Sequence, residues 1–215
     1  MKLLALPIFA FALVAAKPVP APEPVAAPLP LAAPAEIAAN PANRMTLVLS
    51  NGGTVVIQLR PDAAPNHVQR IQTLVRQGFY DGTIFHRVIP GFMAQGGDPT
   101  GTGEGGSKLP DLKAEFNSLP HLRGTVAAAR AESPDSANSQ FYIMFAPNSS
   151  LNGKYTVFGR VISGMDVVDQ IAAGEPPASP TKIVHASLGD GTPAAPAPAP
   201  QAQPEAVQQE NTPGG

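Results

Sequence analysis

The 215-residue chain contains no cysteine, and this absence excludes several ways of stabilising or anchoring a protein. Disulfide bonds are impossible, and so is a lipid anchor on a modified N-terminal cysteine. Charge is scarce and nearly balanced, with a formal net charge of −2, which argues against a nucleic-acid partner. The folded part must therefore be stabilised by its core alone.

Long apolar runs are also missing, because the one at the N-terminus is too short to span a bilayer. Lys2 precedes an apolar stretch that ends in the small residues Ala15 and Ala16. This pattern predicts a secretory signal peptide over 1–16, so we expect export, no stable membrane insertion after cleavage, and a soluble mature protein. A buried N-terminal helix is the alternative, but proline-rich sequence follows at once.

Proline is concentrated near the two ends of the chain. Of the 26 prolines, eight lie in 17–43 and six in 190–215, where hydrophobic periodicity is lacking. Such segments bury too little apolar surface to offset chain entropy, which predicts a disordered Pro/Ala-rich linker and a disordered Pro/Ala/Gln-rich tail. Between them, 44–189 has the size and composition of one domain.

The domain shows the periodicity of short strands. Apolar residues alternate over 45–50 and 54–59 around Asn51-Gly52, a strong hairpin signal. Helices are predicted after Pro65 and over 164–173. Six more strands are predicted over 83–89, 92–98, 124–130, 139–145, 155–162 and 182–188. The pattern predicts a mainly β fold, a closed antiparallel eight-stranded β-barrel with two α-helices.

Residues 85–98 concentrate the chemistry of the chain. The segment reads as two strands joined by a Pro-Gly turn, with Arg87 and Gln95 beside Phe92 and Met93. An apolar cup with one cation and one amide at its edge suits a neutral, bulky ligand group rather than phosphate, metal or sugar. A second segment, Ser-Gln-Phe-Tyr-Ile-Met-Phe from residue 139, adds aromatic side chains and another glutamine.

Together these segments resemble the signature of the cyclophilins, the peptidyl-prolyl cis/trans isomerases. The resemblance covers nearly all of 44–189 and includes 78–84, 123–127 and 157–161, in the order seen in single-domain bacterial members. It implies a cyclophilin-like barrel capped by the two helices and an isomerase without a cofactor. With the signal peptide, it implies a periplasmic monomer that acts on proline-containing unfolded or refolding proteins.

The resemblance also assigns roles to residues. Arg87 would donate a hydrogen bond to the proline nitrogen as the peptide bond twists, although an arbitrary strand arginine more often forms a surface salt bridge. Gln95 and Gln140 would hold the substrate backbone and steady Arg87, and Phe92 completes the catalytic set. The predicted substrate-binding residues are Met93, Ala129, Arg130, Gln140, Tyr142, Leu151 and Tyr155.

Neighbouring residues 141 and 142 must point to opposite faces of their strand. The family pattern puts Tyr142 in the pocket, where relatives have phenylalanine, and Phe141 in the core. Tyr155 takes the place of a pocket histidine, and Arg130 that of an asparagine. Ser150 replaces the tryptophan that favours cyclosporin in eukaryotic members. We therefore expect isomerase activity to survive and cyclosporin binding to be weak.

Two alternatives stay open. A proline-segment-binding chaperone or adaptor with little catalysis is the competing function; the substitutions at 150 and 155 leave room for it, whereas the intact Arg87 set favours the enzyme. The proline-rich linker could also tether the domain or engage a partner, and prolines of the two tails could occupy the active site.

Three further features are set aside. The G-x-G-x-x-G match at 101–106 lacks a following apolar helix and is interpreted as a flexible loop beside the substrate groove. The four histidines show no metal-ligand spacing. Strand alternation points His86 away from Arg87, which predicts that His86 packs in or near the core.

Overall fold

A computed structural model describes residues 28–189, and these form a mainly β fold. The strands are β1 (Arg44–Leu49), β2 (Thr54–Leu59), β3 (Ile84–Ile89), β4 (Met93–Asp98), β5 (Thr125–Ala128), β6 (Phe141–Met144), β7 (Val157–Ser163) and β8 (Ile183–Leu188). They pair antiparallel in one sheet of order β3-β4-β6-β5-β7-β2-β1-β8. The prediction of eight antiparallel strands is confirmed.

The helices in this part of the chain are α1 (Ala35–Ala39), α2 (Pro65–Arg76) and α3 (Met165–Val168). α2 begins at Pro65, whose missing N–H would have no helical partner in the first turn. It buries an apolar face that includes Val68, Ile71 and Leu74. α3 is shorter than the helix predicted over 164–173.

The sheet curls, but the seam between its edge strands is joined only at one end. Ile84 of β3 and Lys182 just before β8 form an isolated bridge. Further along β3, Val88 pairs instead with Gly174, in the loop after α3. Because the loop after α3, and not β8, pairs with this end of β3, the sheet does not close. The predicted closed barrel is therefore corrected to a curled half-barrel.

Two apolar clusters lie on opposite faces of the sheet. The larger takes side chains from all eight strands and from α2, so it fills the inside of the curl. Its largest fully buried members are Tyr80, Phe85, Phe141, Phe158, Met45, Leu47, Leu49, Ile57, Leu59, Leu74 and Ile143. Burying one such Leu, Ile or Phe side chain contributes about 1.5–3 kcal/mol. The smaller cluster lies on the outer face of β4, β6 and β5 and includes Met93, Ala127, Tyr142 and Met144.

Part of the predicted linker 17–43 lies against the domain. Leu29 packs on the outer cluster, and its N–H donates to Ser118 Oγ at 2.8 Å. Arg60, only 3% exposed, donates to the carbonyl oxygens of residues 30 and 31 at 3.0 and 3.1 Å. The prediction of disorder is therefore corrected for 28–43, because a buried guanidinium binds backbone carbonyls there.

Other predicted segments cannot be compared with the structure. The signal peptide 1–16, the linker residues 17–27 and the tail 190–215 lie outside the described residues. Within 28–189, none of the helices has the length and apolar character needed to cross a membrane.

Candidate active site

Nine of the predicted site residues line one cavity on the outer face of the sheet. Its volume is about 160 Å³, and its lining consists of Arg87, Phe92, Met93, Gln95, Ala129, Arg130, Tyr142, Leu151 and Tyr155. Pockets for drug-sized ligands usually measure roughly 300–1,000 Å³. The cavity therefore suits one small apolar group, such as a ring, better than a large ligand.

Strand register brings the lining together. Gln95 of β4 pairs with Arg87 on one side and with Tyr142 on the other, so three adjacent strands contribute to one row. Met93 lies two residues before Gln95 and therefore on the same face of the sheet. Leu151 comes from the 3-10 turn Ser149–Leu151.

Phe141 and Tyr142 are divided between the faces of the sheet as alternation predicts. Phe141 belongs to the interior cluster, where its ring meets Tyr80 and Phe85 edge-on at 5.7 and 6.3 Å. Tyr142 belongs to the outer cluster and lies edge-on to Tyr155 at 5.9 Å. The aromatic wall of the cavity is thus separate from the aromatic core.

His121 is a site residue that sequence reasoning missed. Its Nε2 lies 3.0 Å from the Tyr142 hydroxyl, and its Nδ1 lies 3.1 Å from Asn152 Oδ1. Burial lowers the pKa of His121 and raises that of Tyr142. Because Asn152 Oδ1 also accepts from the His121 backbone N–H, Nδ1 carries the ring proton and Nε2 accepts from the tyrosine. The only sequence signal was that a buried tyrosine hydroxyl needs a partner.

The two glutamines bind each other and a loop, not the arginine. Gln95 Nε2 donates to Gln140 Oε1 at 2.9 Å, and Gln140 Nε2 donates to the carbonyls of Gly103 and Gly105 at 2.9 and 2.8 Å. Within residues 28–189 neither amide hydrogen-bonds to Arg87, although Gln95 lies opposite it in the sheet, so their steadying role stays a prediction.

The loop carrying the G-x-G-x-x-G match borders a second depression of about 500 Å³, which Gln140 lines together with Gln95, Ala129 and Arg130. The buried Asp98 carboxylate accepts the N–H groups of Gly103 at 2.6 Å and Gly105 at 3.1 Å. Burial alone would raise the pKa of Asp98, but the hydrogen bonds from Thr100 and these glycines lower it to about 2. The loop that was predicted to be flexible is instead held by hydrogen bonds to Gln140 and to Asp98.

Arg130 forms part of the cavity wall. Its guanidinium carbon lies 4.6 Å from the centre of the Tyr155 ring. The guanidinium also donates to the carbonyls of Ala131, Glu132 and Lys154 at 2.8 to 3.2 Å. These bonds hold the cation over the aromatic ring, where the cation and the ring attract each other.

Arg87 stands at the edge of the cavity, and its Nε donates to Glu175 Oε2 at 2.6 Å. The two side chains are 41% and 51% exposed. Both descriptions of Arg87 considered from the sequence therefore hold together, because it forms a surface salt bridge and also lines the pocket. His86, next to it, is 5% exposed, and burial lowers its pKa.

The remaining histidines make structural contacts. His67 Nδ1 lies 2.6 Å from Glu115 Oε2, and His185 Nδ1 lies 2.9 Å from Asp81 Oδ2. Among residues 28–189, His, Asp and Glu side chains do not gather in any group of three or more that could hold a metal.

The curled sheet and its ring-sized outer cavity define a cyclophilin fold. The crystal structure of a cyclophilin from Hirschia baltica matches with a TM-score of 0.65 and 31% identity, covering 69% of this chain and 74% of that one. The structure of a cyclophilin type peptidyl-prolyl cis-trans isomerase from Cryptosporidium parvum, determined in the presence of the dipeptide Ala-Pro, matches with a TM-score of 0.64 and 28% identity. It covers 69% of this chain and 99% of that one.

Sequence comparisons agree with the structural ones. The family model for cyclophilin type peptidyl-prolyl cis-trans isomerase/CLD matches residues 44–188. A probable peptidyl-prolyl cis-trans isomerase of Brucella suis is 50% identical over 167 residues, 70% of this chain and 85% of that protein. Peptidyl-prolyl cis-trans isomerase B of Bacillus subtilis is 42% identical over 129 residues, 60% of this chain and 90% of that protein. The chain belongs to the cyclophilin-type peptidyl-prolyl cis-trans isomerases, as its two signature segments predict.

Proposed function

We propose that this chain accelerates rotation of X-Pro peptide bonds by non-covalent transition-state stabilisation with Arg87. The observation that carries the proposal is the position of its guanidinium beside the apolar cavity. Within residues 28–189 only Nε of this group has a hydrogen-bond partner, which leaves both Nη groups available to a ligand.

The reaction requires a hydrogen-bond donor that binds the proline nitrogen mainly in the transition state. The peptide bond resists rotation with a barrier of ~18–20 kcal/mol because the nitrogen lone pair is delocalised. As the bond twists, the proline nitrogen becomes a hydrogen-bond acceptor, and a guanidinium donates to it without a change in its own protonation. A bond formed mainly in the transition state accelerates the reaction. Converting tens of seconds into milliseconds requires ~10⁴-fold, or roughly 5–6 kcal/mol.

The substrate is a proline within an extended peptide segment. The proline ring occupies the cavity between Phe92, Met93, Tyr142 and Leu151, whose apolar surfaces favour a neutral ring. Gln95, at the junction of the two depressions, holds the substrate backbone. Anchoring the proline ring holds one side of the X-Pro bond while the carbonyl on the other side rotates.

The cellular role follows from the N-terminus of the sequence. Lys2 and the apolar stretch up to Ala16 have the composition of a secretory signal. The enzyme therefore acts in the periplasm on exported proteins that are folding or refolding. Cell fractionation followed by N-terminal sequencing tests this, and a protein found in the cytoplasmic fraction with residues 1–16 intact contradicts it.

The catalytic proposal is tested by the rate of cis-to-trans conversion of a short X-Pro peptide. Arg87→Ala is compared with the unchanged protein and with Arg123→Ala, which removes another half-exposed arginine whose guanidinium lies 2.6 Å from Asp169. We expect at least a tenfold loss with Arg87→Ala and near-normal activity with Arg123→Ala. Binding of proline peptides without any acceleration by the unchanged protein contradicts the proposal and favours a chaperone or adaptor.

A further inference from the structure

The loop after α3 supplies a carboxylate to the edge of the proline cavity. We infer that Glu175 is a positioning residue that fixes the Arg87 guanidinium for the reaction, an inference that rests on the proposed role of Arg87. The two residues are 88 positions apart in the chain, yet Nε and Oε2 lie 2.6 Å apart.

The pairing is set by backbone register. Val88 and Gly174 form an antiparallel bridge, with hydrogen bonds of 2.8 and 3.0 Å in the two directions. One step along an antiparallel pair places Arg87 opposite Glu175, where side chains of opposite charge meet. On its other side, Arg87 pairs with Gln95 of β4. The arginine is thus flanked by a carboxylate and an amide at the same level of the sheet.

The loop itself is held by contacts other than the glutamate side chain. The N–H of Ala172 donates to Thr181 Oγ1 at 3.1 Å, and the carbonyl of Thr181 accepts from Phe85 N–H at 3.0 Å. Gly174 has a φ of 142°, and a Cβ there would lie 2.6 Å from the Cα of Pro177. Glycine at 174 therefore lets the loop fold closely onto its own residues 176 and 177. The Glu175 carboxylate takes no part in these contacts and can be altered without removing them.

The carboxylate binds Nε of the guanidinium, which leaves the two Nη groups available as donors. A contact at Nε fixes the orientation of the planar group about its flexible stem. Without that contact, the side chain populates other rotamers, and only a fraction of molecules present Nη to the cavity. Since the substrate ring binds mainly to apolar walls, the loss falls on kcat and leaves KM nearly unchanged.

The test compares Glu175→Gln, Glu175→Asp and Asp169→Asn in the full chain. Asp169 is a matched control, because it is 44% exposed and lies 2.6 Å from the guanidinium of Arg123. We expect Glu175→Gln to lower kcat about fivefold, which corresponds to about 1 kcal/mol, the upper range for an exposed ion pair. Glu175→Asp should recover part of the loss, and Asp169→Asn should keep normal kcat and KM.

A double-mutant cycle with Arg87→Ala separates positioning from general destabilisation. If Glu175 acts through the arginine, Glu175→Gln has no further effect once Arg87 is alanine. An equal loss in both backgrounds, a rise in KM at constant kcat, or an unchanged kcat in Glu175→Gln overturns the inference. Failure of the proposed mechanism looks different, because Arg87→Ala alone then keeps full activity.

Discussion

The hydroxyl of Tyr142 lies 3.0 Å from Nε2 of His121, and this hydrogen bond connects the wall of the outer cavity to the loop before β5. His121 is 1% exposed, and its ring plane is tilted by 20° from that of the tyrosine, with 6.1 Å between the ring centres. Tyrosine at this position of the wall therefore requires a buried hydrogen-bond partner for its hydroxyl, and His121 supplies it.

Removing this hydroxyl should reduce stability while sparing the reaction. Tyr142→Phe leaves Nε2 of His121 buried without its donor, so we expect the free energy of unfolding to fall by about 1–3 kcal/mol. The aromatic wall remains, so kcat/KM should change less than twofold. Urea unfolding and the peptide assay measure the two quantities. Tyr155→Phe is the control, because the Tyr155 hydroxyl has no hydrogen-bond partner within 28–189, and it should be nearly neutral; equal losses in both variants contradict the assignment.

Stability should decline in acid partly through Asp98. Its pKa is lowered from 3.8 to about 2 in the folded protein, so its contribution is fully present above the unfolded value. That contribution disappears as the pH falls from about 4 to 2 and amounts to about 2 kcal/mol. Unfolding free energies of the unchanged protein and Asp98→Asn, measured from pH 5 to pH 2, should therefore converge. A constant difference across this range contradicts the prediction.

The N-terminal arm, residues 28–33, should stabilise the domain without taking part in the reaction. A chain that begins at Pro34 leaves the Arg60 guanidinium without the carbonyls of residues 30 and 31 and removes the apolar contact of Leu29. We expect a loss of about 1–3 kcal/mol in unfolding free energy, because a buried charged donor loses acceptors. Thermal unfolding measures the loss, and kcat/KM should stay unchanged. A large drop in activity would instead assign the arm to the substrate site.

Cyclosporin should bind weakly, and one substitution should strengthen it. Ser150 is exposed in the 3-10 turn beside Leu151, a residue of the cavity lining. Ser150→Trp adds a large apolar surface there, and we expect at least about tenfold tighter binding, since burial of such a side chain contributes about 1.5–3 kcal/mol. The chain has no other tryptophan, so fluorescence titration reports binding directly in the variant, and calorimetry serves the unchanged protein.

Local patterns in the sequence determined the strands and the faces they present. Alternation along β6 was sufficient to send Phe141 inward and Tyr142 outward, because successive side chains on a strand point to opposite faces. The two signature segments also contain several residues of the cavity lining. Pairing of β3, β4 and β6 places Arg87, Gln95 and Tyr142 in one row. These features depend on contacts within a strand or between strands that pair.

Only the tertiary structure decided which distant groups complete the site. Glu175 reaches Arg87 because an isolated bridge brings a loop to the edge of β3, and His121 meets Tyr142 from an irregular segment. The arm at 28–31 is ordered because the buried Arg60 needs carbonyl acceptors. Such contacts join single polar atoms across long sequence separations. The periodicity of apolar residues along the sequence therefore does not predict them. The sequence by itself determined the family and the apolar pocket, whereas the fold decided what holds its arginine, its tyrosine and its N-terminal arm in place.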